Sequence, residues 1–245
     1  MTDAKAPPLR RVAAIDIART LALVAMAVYH LIYDLMMFGV VSSDVALSGG
    51  FRWLAVLTAG SFLFLAGIGL KLANRERLHL GRALKRIGVI AVAAALVSLA
   101  TYVAMPGAFV FFGILHSIAT ASLIGLLFVR LPWWVSLAGA AAVVWVAFNV
   151  ASPLFDPKWL GWTGLGTVRY NTVDFEPVFP WLAPLLVGLA ITQLTIRSAF
   201  WTPRPISGLT AALGWPGRHS LVIYLIHQPV LVALVWSAVQ LGLIG

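Results

Sequence analysis

Seven long apolar runs, separated by short charged connections, limit what this chain can fold into more than any other feature. They cover residues 12–38, 53–73, 87–105, 109–129, 133–150, 178–196 and 219–243. Each is close to the ~20 residues that a helix needs to cross the hydrocarbon of a bilayer. The runs are continuously apolar and do not alternate, which sets aside a strand-built membrane barrel. Hydrophobic residues make up 61% of the 245 and charged ones 10%, so a water-covered surface could not hide the apolar excess. The expected fold class is all-α, a polytopic membrane helical bundle of about seven transmembrane helices forming one domain over 1–245. The first run holds Asp16 and Arg19 and lacks a small-residue cleavage site, so it reads as a retained helix and not as a signal peptide. Cysteine is absent, which excludes a disulfide scaffold, a thiolate nucleophile and Cys-ligated zinc or iron–sulfur clusters.

Charge orients the bundle. The net charge is +9, but its placement speaks for the membrane and against nucleic acid. Thirteen basic residues fall on one side: Lys5, Arg10 and Arg11, the 71–86 segment, Arg130, and Arg197, Arg204 and Arg218. Arg52, Lys158 and Arg169 fall on the other. Positively charged short loops stay in the cytoplasm, so the N-terminus is expected inside and the C-terminus outside. The basic run from Arg75 to Arg86 reads most simply as this topology signal, with the holding of a donor's phosphates as a second role. The longest outer connection, 151–177, reads as an interfacial aromatic loop or as a lid over an acceptor, with Trp159 and Trp162 as stacking faces.

The first helix carries a polar stripe. At 3.6 residues per turn, Asp16, Arg19, His30 and Asp34 all fall within an arc of about 60°. Ionisable groups inside a span are costly and face a bundle interior or a wet cavity, so this stripe is expected to point inward. Asp16 and Arg19 lie about 8–12 Å from Arg11 along the helix, and His30 and Asp34 about 28–35 Å. The first two read as a structural ion pair or as an anion site open to the cytoplasm. His30 and Asp34 are one turn apart, so the carboxylate could orient the imidazole and raise its basicity.

Other histidines extend the pattern. His116 follows Phe112-Gly113-Ile114-Leu115 at a depth matching His30, so the two could share an outer cavity. The last run opens with Gly217-Arg218-His219-Ser220 and continues through Tyr224 to His227-Gln228-Pro229. His227 falls about 12 Å deeper than His219. Pro229 frees the carbonyl of Leu225, which a local polar cluster could satisfy.

These segments carry a resemblance. Ala14-Ile15-Asp16-Ile17-Ala18-Arg19-Thr20-Leu21 with Tyr29-His30, Gly60-Ser61-Phe62-Leu63-Phe64-Leu65-Ala66-Gly67, the Phe-Gly-Ile-Leu-His run and Gly-Arg-His-Ser…Tyr-Leu-Ile-His-Gln-Pro occur in order along nearly the whole chain. Together they resemble the bacterial branch of the heparan-alpha-glucosaminide N-acetyltransferase catalytic family, within the transmembrane acyltransferase superfamily. The resemblance implies a multi-pass enzyme of the bacterial inner membrane. Such an enzyme takes an acetyl or other short acyl group from cytoplasmic acyl-CoA and delivers it to a sugar hydroxyl or amine at the outer face. Acetyl-CoA would be the donor, a glycan or glycolipid the acceptor and membrane lipids the surroundings; no metal or nucleic acid is implied, and a homo-oligomer is left open. The family's Asp-x-x-Arg element falls on Asp16 and Arg19. Its polar position at the end of the first helix falls on His30, where the eukaryotic enzymes have Asn. Those enzymes carry their catalytic His slightly later, but residues 39–52 here contain none. His30 and His116 remain as candidate bases, with Asp34 as the orienting carboxylate. Asp16, Arg19, Arg218, His219 and His227 are assigned to the donor side.

Two other classes fit parts of the pattern. Histidines at two depths could ligate b-type haems, His30 with His116 and His219 with His227. A polar stripe could also be the ion path of a proton-coupled transporter, although no inverted repeat is evident.

Overall fold

The computed structural model describes residues 10–244; Lys5, counted above in the charge bias, lies outside them. In chain order the α-helices are α1 (Ala13–Met37), α2 (Ser43–Leu47), α3 (Gly49–Ala73), α4 (Leu80–Ala104), α5 (Ile114–Phe128), α6 (Trp133–Asn149), α7 (Val178–Thr195), α8 (Gly208–Leu213), α9 (Trp215–Arg218) and α10 (Ser220–Gln240). Five of them, α1, α3, α4, α7 and α10, are long and apolar enough to span a bilayer. The other two expected spans, α5 and α6, are apolar helices of 15 and 17 residues, or about 23–26 Å of rise. The expected run at 109–129 begins late because residues 105–113 form a turn-rich approach to α5. Conversely α4 starts at Leu80, seven residues before the expected 87. Arg82, Lys85 and Arg86 therefore stand on its first turns and not in a loop.

The chain, read from its sequence as one domain, divides by its contacts into two compact units. Described residues up to Thr58 pack with those from Arg197 onward; Ala59–Ile196 form the second unit, the boundary falling within α3. In the first unit α1 packs against α8, α9 and α10. A two-residue antiparallel ladder pairs β1 (Arg10–Arg11) with β2 (Arg204–Pro205) beside it. Leu21, Val24 and Val28 of α1 and Val222, Ile226 and Leu234 of α10 stay exposed, as side chains that meet lipid do.

In the second unit α6 packs along α7, α5 against both α4 and α7, and Leu63, Leu185, Leu186 and Leu189 are wholly buried. Helices α3 and α7 approach each other closely. A Cβ on Gly67 would collide with the Leu185 carbonyl, and one on Gly188 with the Phe64 carbonyl. Two glycines thus let two backbones touch, which suits helices that gain nothing from hydrophobic exclusion in lipid and must pack by close contact. Polar ties hold one end of this unit. Gln193 donates to the carbonyls of Phe128 and Leu131 and accepts from the buried hydroxyl of Ser136. Lys71 donates to the Val129 carbonyl and Arg75 to that of Ile196, cations placed where helix ends carry partial negative charge. Replacing Gly67 or Gly188 by Val forces these backbones apart, and each variant is expected to lose about 1–3 kcal/mol, read as a lowered melting temperature in detergent.

Candidate functional site

The site grows from a fixed register between α1 and the C-terminal helices. Thr20 of α1 sits at the junction of α8 and α9. Its hydroxyl donates to the Leu213 carbonyl at 2.7 Å and accepts from the Gly217 N–H at 2.9 Å. A side chain on Gly217 would run into the Asp16 carbonyl, so only glycine permits this contact. From Thr20 to His30 is ten residues, and from Gly217 to His227 is also ten. Both pairs differ by 197 in sequence number. The helices therefore run in parallel, and the register set at Thr20 brings His227 level with His30 about 15 Å further along.

There the two imidazoles meet. His227 Nε2 lies 3.4 Å from His30 Nδ1, with ring centroids 4.9 Å apart. His30 Nδ1 also lies 3.0 Å from the Met26 carbonyl, which can only accept, so Nδ1 carries the proton. His227 Nδ1 lies 2.5 Å from the Tyr224 carbonyl and carries its proton for the same reason, leaving Nε2 to accept from His30. The lone pair of His30 is thereby directed to Nε2, for which no partner occurs among the described residues. A neutral His30 in this setting is a base with one defined basic nitrogen. Once protonated, it has two acceptors, the Met26 carbonyl and His227, facing its Nδ1–H.

The structure corrects the expected partner of His30. Asp34 does not hold it; Asp34, fully buried, accepts from the Gln228 amide at 2.7 Å. Helical side chains lean toward the N-terminus, and His30 follows that lean onto Met26, away from the residue one turn ahead. Asp34 Oδ2 and Gln228 Oε1 are both buried without a hydrogen-bond partner. Gln228 escaped sequence reading, although its place between His227 and Pro229 in a polar triplet was the available signal. The carbonyl that the cluster near Pro229 uses is that of Tyr224, one residue before the expected Leu225.

Toward the start of α1 the polar stripe is an ion-pair lock. Asp16 is 2% exposed, with Arg11 Nε at 2.8 Å and Arg19 Nη1 at 3.4 Å. Arg218 donates to the Ala211 carbonyl at 3.0 Å and keeps Nη1 buried without a partner. His219 is exposed, bonded to the Trp215 carbonyl and tilted against the Trp215 ring. The haem pairing of His219 with His227 is therefore not made, since His227 is engaged by His30.

His116 belongs to the second unit, where both its nitrogens are occupied. Nδ1 accepts from the Gly113 N–H at 3.3 Å, and Nε2 faces the Ser98 hydroxyl at 3.3 Å. That hydroxyl already donates to the Val110 carbonyl at 2.5 Å, so Nε2–H is the donor between them. His116 thus closes the start of α5 and has no free lone pair. Beside it, Asp174 accepts from the Ile114 N–H at 3.0 Å. Burial pushes Asp174 up to about 6, and burial together with Asp174 pushes Glu176 well above the usual carboxylate range. In the connection between α6 and α7, Asp156 is spent on Thr167 and Val168; burial pushes its carboxyl up, but these hydrogen bonds outweigh that and hold it below its ordinary value.

The heparan-alpha-glucosaminide N-acetyltransferase catalytic family matches residues 11–229, a stretch that includes α1 with its stripe and His227-Gln228-Pro229. The chain belongs to this family. It is accordingly a membrane acetyltransferase. No curated protein and no solved structure matches the chain.

Thr20→Val removes the acceptor of the Gly217 N–H and the donor to Leu213, and should cost about 1–3 kcal/mol, seen as a lower melting temperature with weakened protection of the Gly217 amide. For Asp174 the folded state binds its proton more tightly than the unfolded chain does. Its contribution is fully present below about pH 4 and is lost as pH rises through about 6. Hydrogen exchange at Val173 and Glu176, corrected for intrinsic rate, should therefore show easier opening at pH 6.5 than at pH 4, and Asp174→Asn should flatten that difference.

Proposed function

We propose that the chain moves an acetyl group from cytoplasmic acetyl-CoA to a hydroxyl or amine of a glycan or glycolipid at the outer face, with His30 as general base. The observation that carries this reading is the His30–His227 contact, which leaves the lone pair on His30 Nε2 and sets acceptors around the opposite nitrogen. In the proposed step, Nε2 takes the proton of the acceptor while the acceptor's oxygen or nitrogen attacks the thioester carbonyl. The carbon–sulfur bond breaks, and the departing thiolate of CoA recovers that proton from the imidazolium. His227 is a positioning residue: its Nε2 and the Met26 carbonyl stabilise the positive charge that His30 gains. Asp34 and Gln228 fix one another one turn beyond. On the donor side, Arg218 and His219 at the approach to α10 suit the phosphates and adenine of CoA, while Asp16 with Arg11 and Arg19 keeps α1 and its register in place. His116 is assigned the structural task of closing α5.

Labelled acetyl-CoA, incubated with the purified protein and a panel of sugars, tests this directly. His30→Ala should reduce transfer by about 10²–10⁴-fold, the usual worth of a general base, with folding unchanged by circular dichroism. His227→Phe should reduce it by roughly 10–100-fold, since a hydrogen bond to a charged group contributes about 1.5–3 kcal/mol, and His227→Gln, which retains an acceptor, by less. Near-normal turnover of folded His30→Ala removes His30 from the role. A large loss in His116→Ala without loss of stability would move the base to α5.

A further inference from the structure

Of the basic residues at one end of the second unit, some are already engaged. Lys71 and Arg75 donate to the carbonyls that end α5 and α7, and Arg130 donates to the Glu76 carbonyl. Arg82 and Arg86 are different. They stand one turn apart on α4, and among the described residues neither guanidinium is hydrogen-bonded or ion-paired. Both line a recess of about 270 Å³ together with His79. Its remaining wall is largely apolar and includes Leu70, Ile87 and Ile90.

The recess has a fixed frame. Asn74, 1% exposed, donates to the Leu70 carbonyl and accepts from the His79 N–H, so the end of α3 and the start of α4 are tied by one buried amide. Between residues 59 and 150 the sole acidic side chain is Glu76; it is exposed and does not line the recess. Two guanidiniums, an imidazole and no carboxylate call for an anion, and guanidinium pairs suit phosphate in particular. The apolar wall calls for a chain attached to that anion. Arg82 and Arg86 lie about 3 and 9 Å along α4 from its start, a depth that straddles the headgroup layer of a bilayer. The charge bias assigns this end to the cytoplasmic leaflet, where anionic lipids meet basic pockets between helices.

We propose that this recess binds an anionic phospholipid, its phosphate held by Arg82 and Arg86 and the first part of an acyl chain lying against Leu70, Ile87 and Ile90. The experiment is lipid binding to the full-length protein in detergent, followed by native mass spectrometry and by melting temperature. Phosphatidylglycerol is compared with phosphatidylcholine, and free CoA and inorganic phosphate serve as soluble phosphate competitors. Phosphatidylglycerol should bind and raise the melting temperature, phosphatidylcholine should not, and neither soluble phosphate should displace the lipid. Arg82→Gln/Arg86→Gln should weaken phosphatidylglycerol binding at least tenfold, and Arg82→Lys/Arg86→Lys, which keeps the charge and the fold, by a smaller factor. Arg77→Gln/Lys85→Gln, which removes equal charge from outside the recess, should leave binding unchanged. Equal loss in the Arg77/Lys85 pair, unchanged binding in the folded Arg82/Arg86 variants, or displacement by CoA or phosphate would each overturn the proposal.

Discussion

Placing ionisable groups in an apolar helix is tolerable only if each finds a partner at its own depth. In the first unit that requirement is met by holding two parallel helices in one register. The hydroxyl of Thr20 and the missing side chain of Gly217 fix the start, and ten residues later the imidazoles of His30 and His227 coincide. A slip of one residue would rotate each partner by about 100° and carry it about 1.5 Å along the axis. Asp34 would then lose Gln228 and lie buried with no hydrogen bond at all, a penalty of several kcal/mol in a medium without water. The polar pairs are as much a statement of register as of chemistry.

Part of this could be read before any coordinates. Period and hydropathy placed α1, α3, α6, α7 and α10 within a few residues, because a long apolar run in a bilayer has few alternatives to a helix. The inward direction of the stripe followed from the same cost of charge in lipid, and Asp16 and Asp34 are indeed buried. What periodicity could not supply was the partner. Spacing of four between His30 and Asp34 suggested a pair, but spacing says nothing of the side-chain lean that sends His30 back to Met26, nor of Gln228, 194 residues away, competing for Asp34. Levels counted from helix ends give each histidine a depth on its own helix but no common origin between helices. The contact of Thr20 with Gly217 supplies that origin for His30 and His227.

The two histidines that looked equivalent in sequence differ through their hydrogen-bond environment. His30 faces acceptors at Nδ1 and is left with a lone pair at Nε2. His116 faces a donor, the Gly113 N–H, at Nδ1 and an occupied hydroxyl at Nε2. The tautomer, and with it the capacity to take up a proton, is thus decided by backbone groups that composition and motif cannot reveal. The same distinction separates the arginines at the end of the second unit. Those facing helix carbonyls are structural, and those facing an apolar recess are available.

That α1 completes its polar pairing with residues almost two hundred positions away has a consequence for biogenesis. At ordinary elongation rates of about 5–20 residues per second, the ribosome needs roughly 10–40 s to make the stretch between His30 and His227. Throughout that interval the first helix holds the Asp34 carboxylate without its Gln228 partner and the His30 imidazole with Met26 alone. The shelter of that carboxylate is complete only when the last helix arrives.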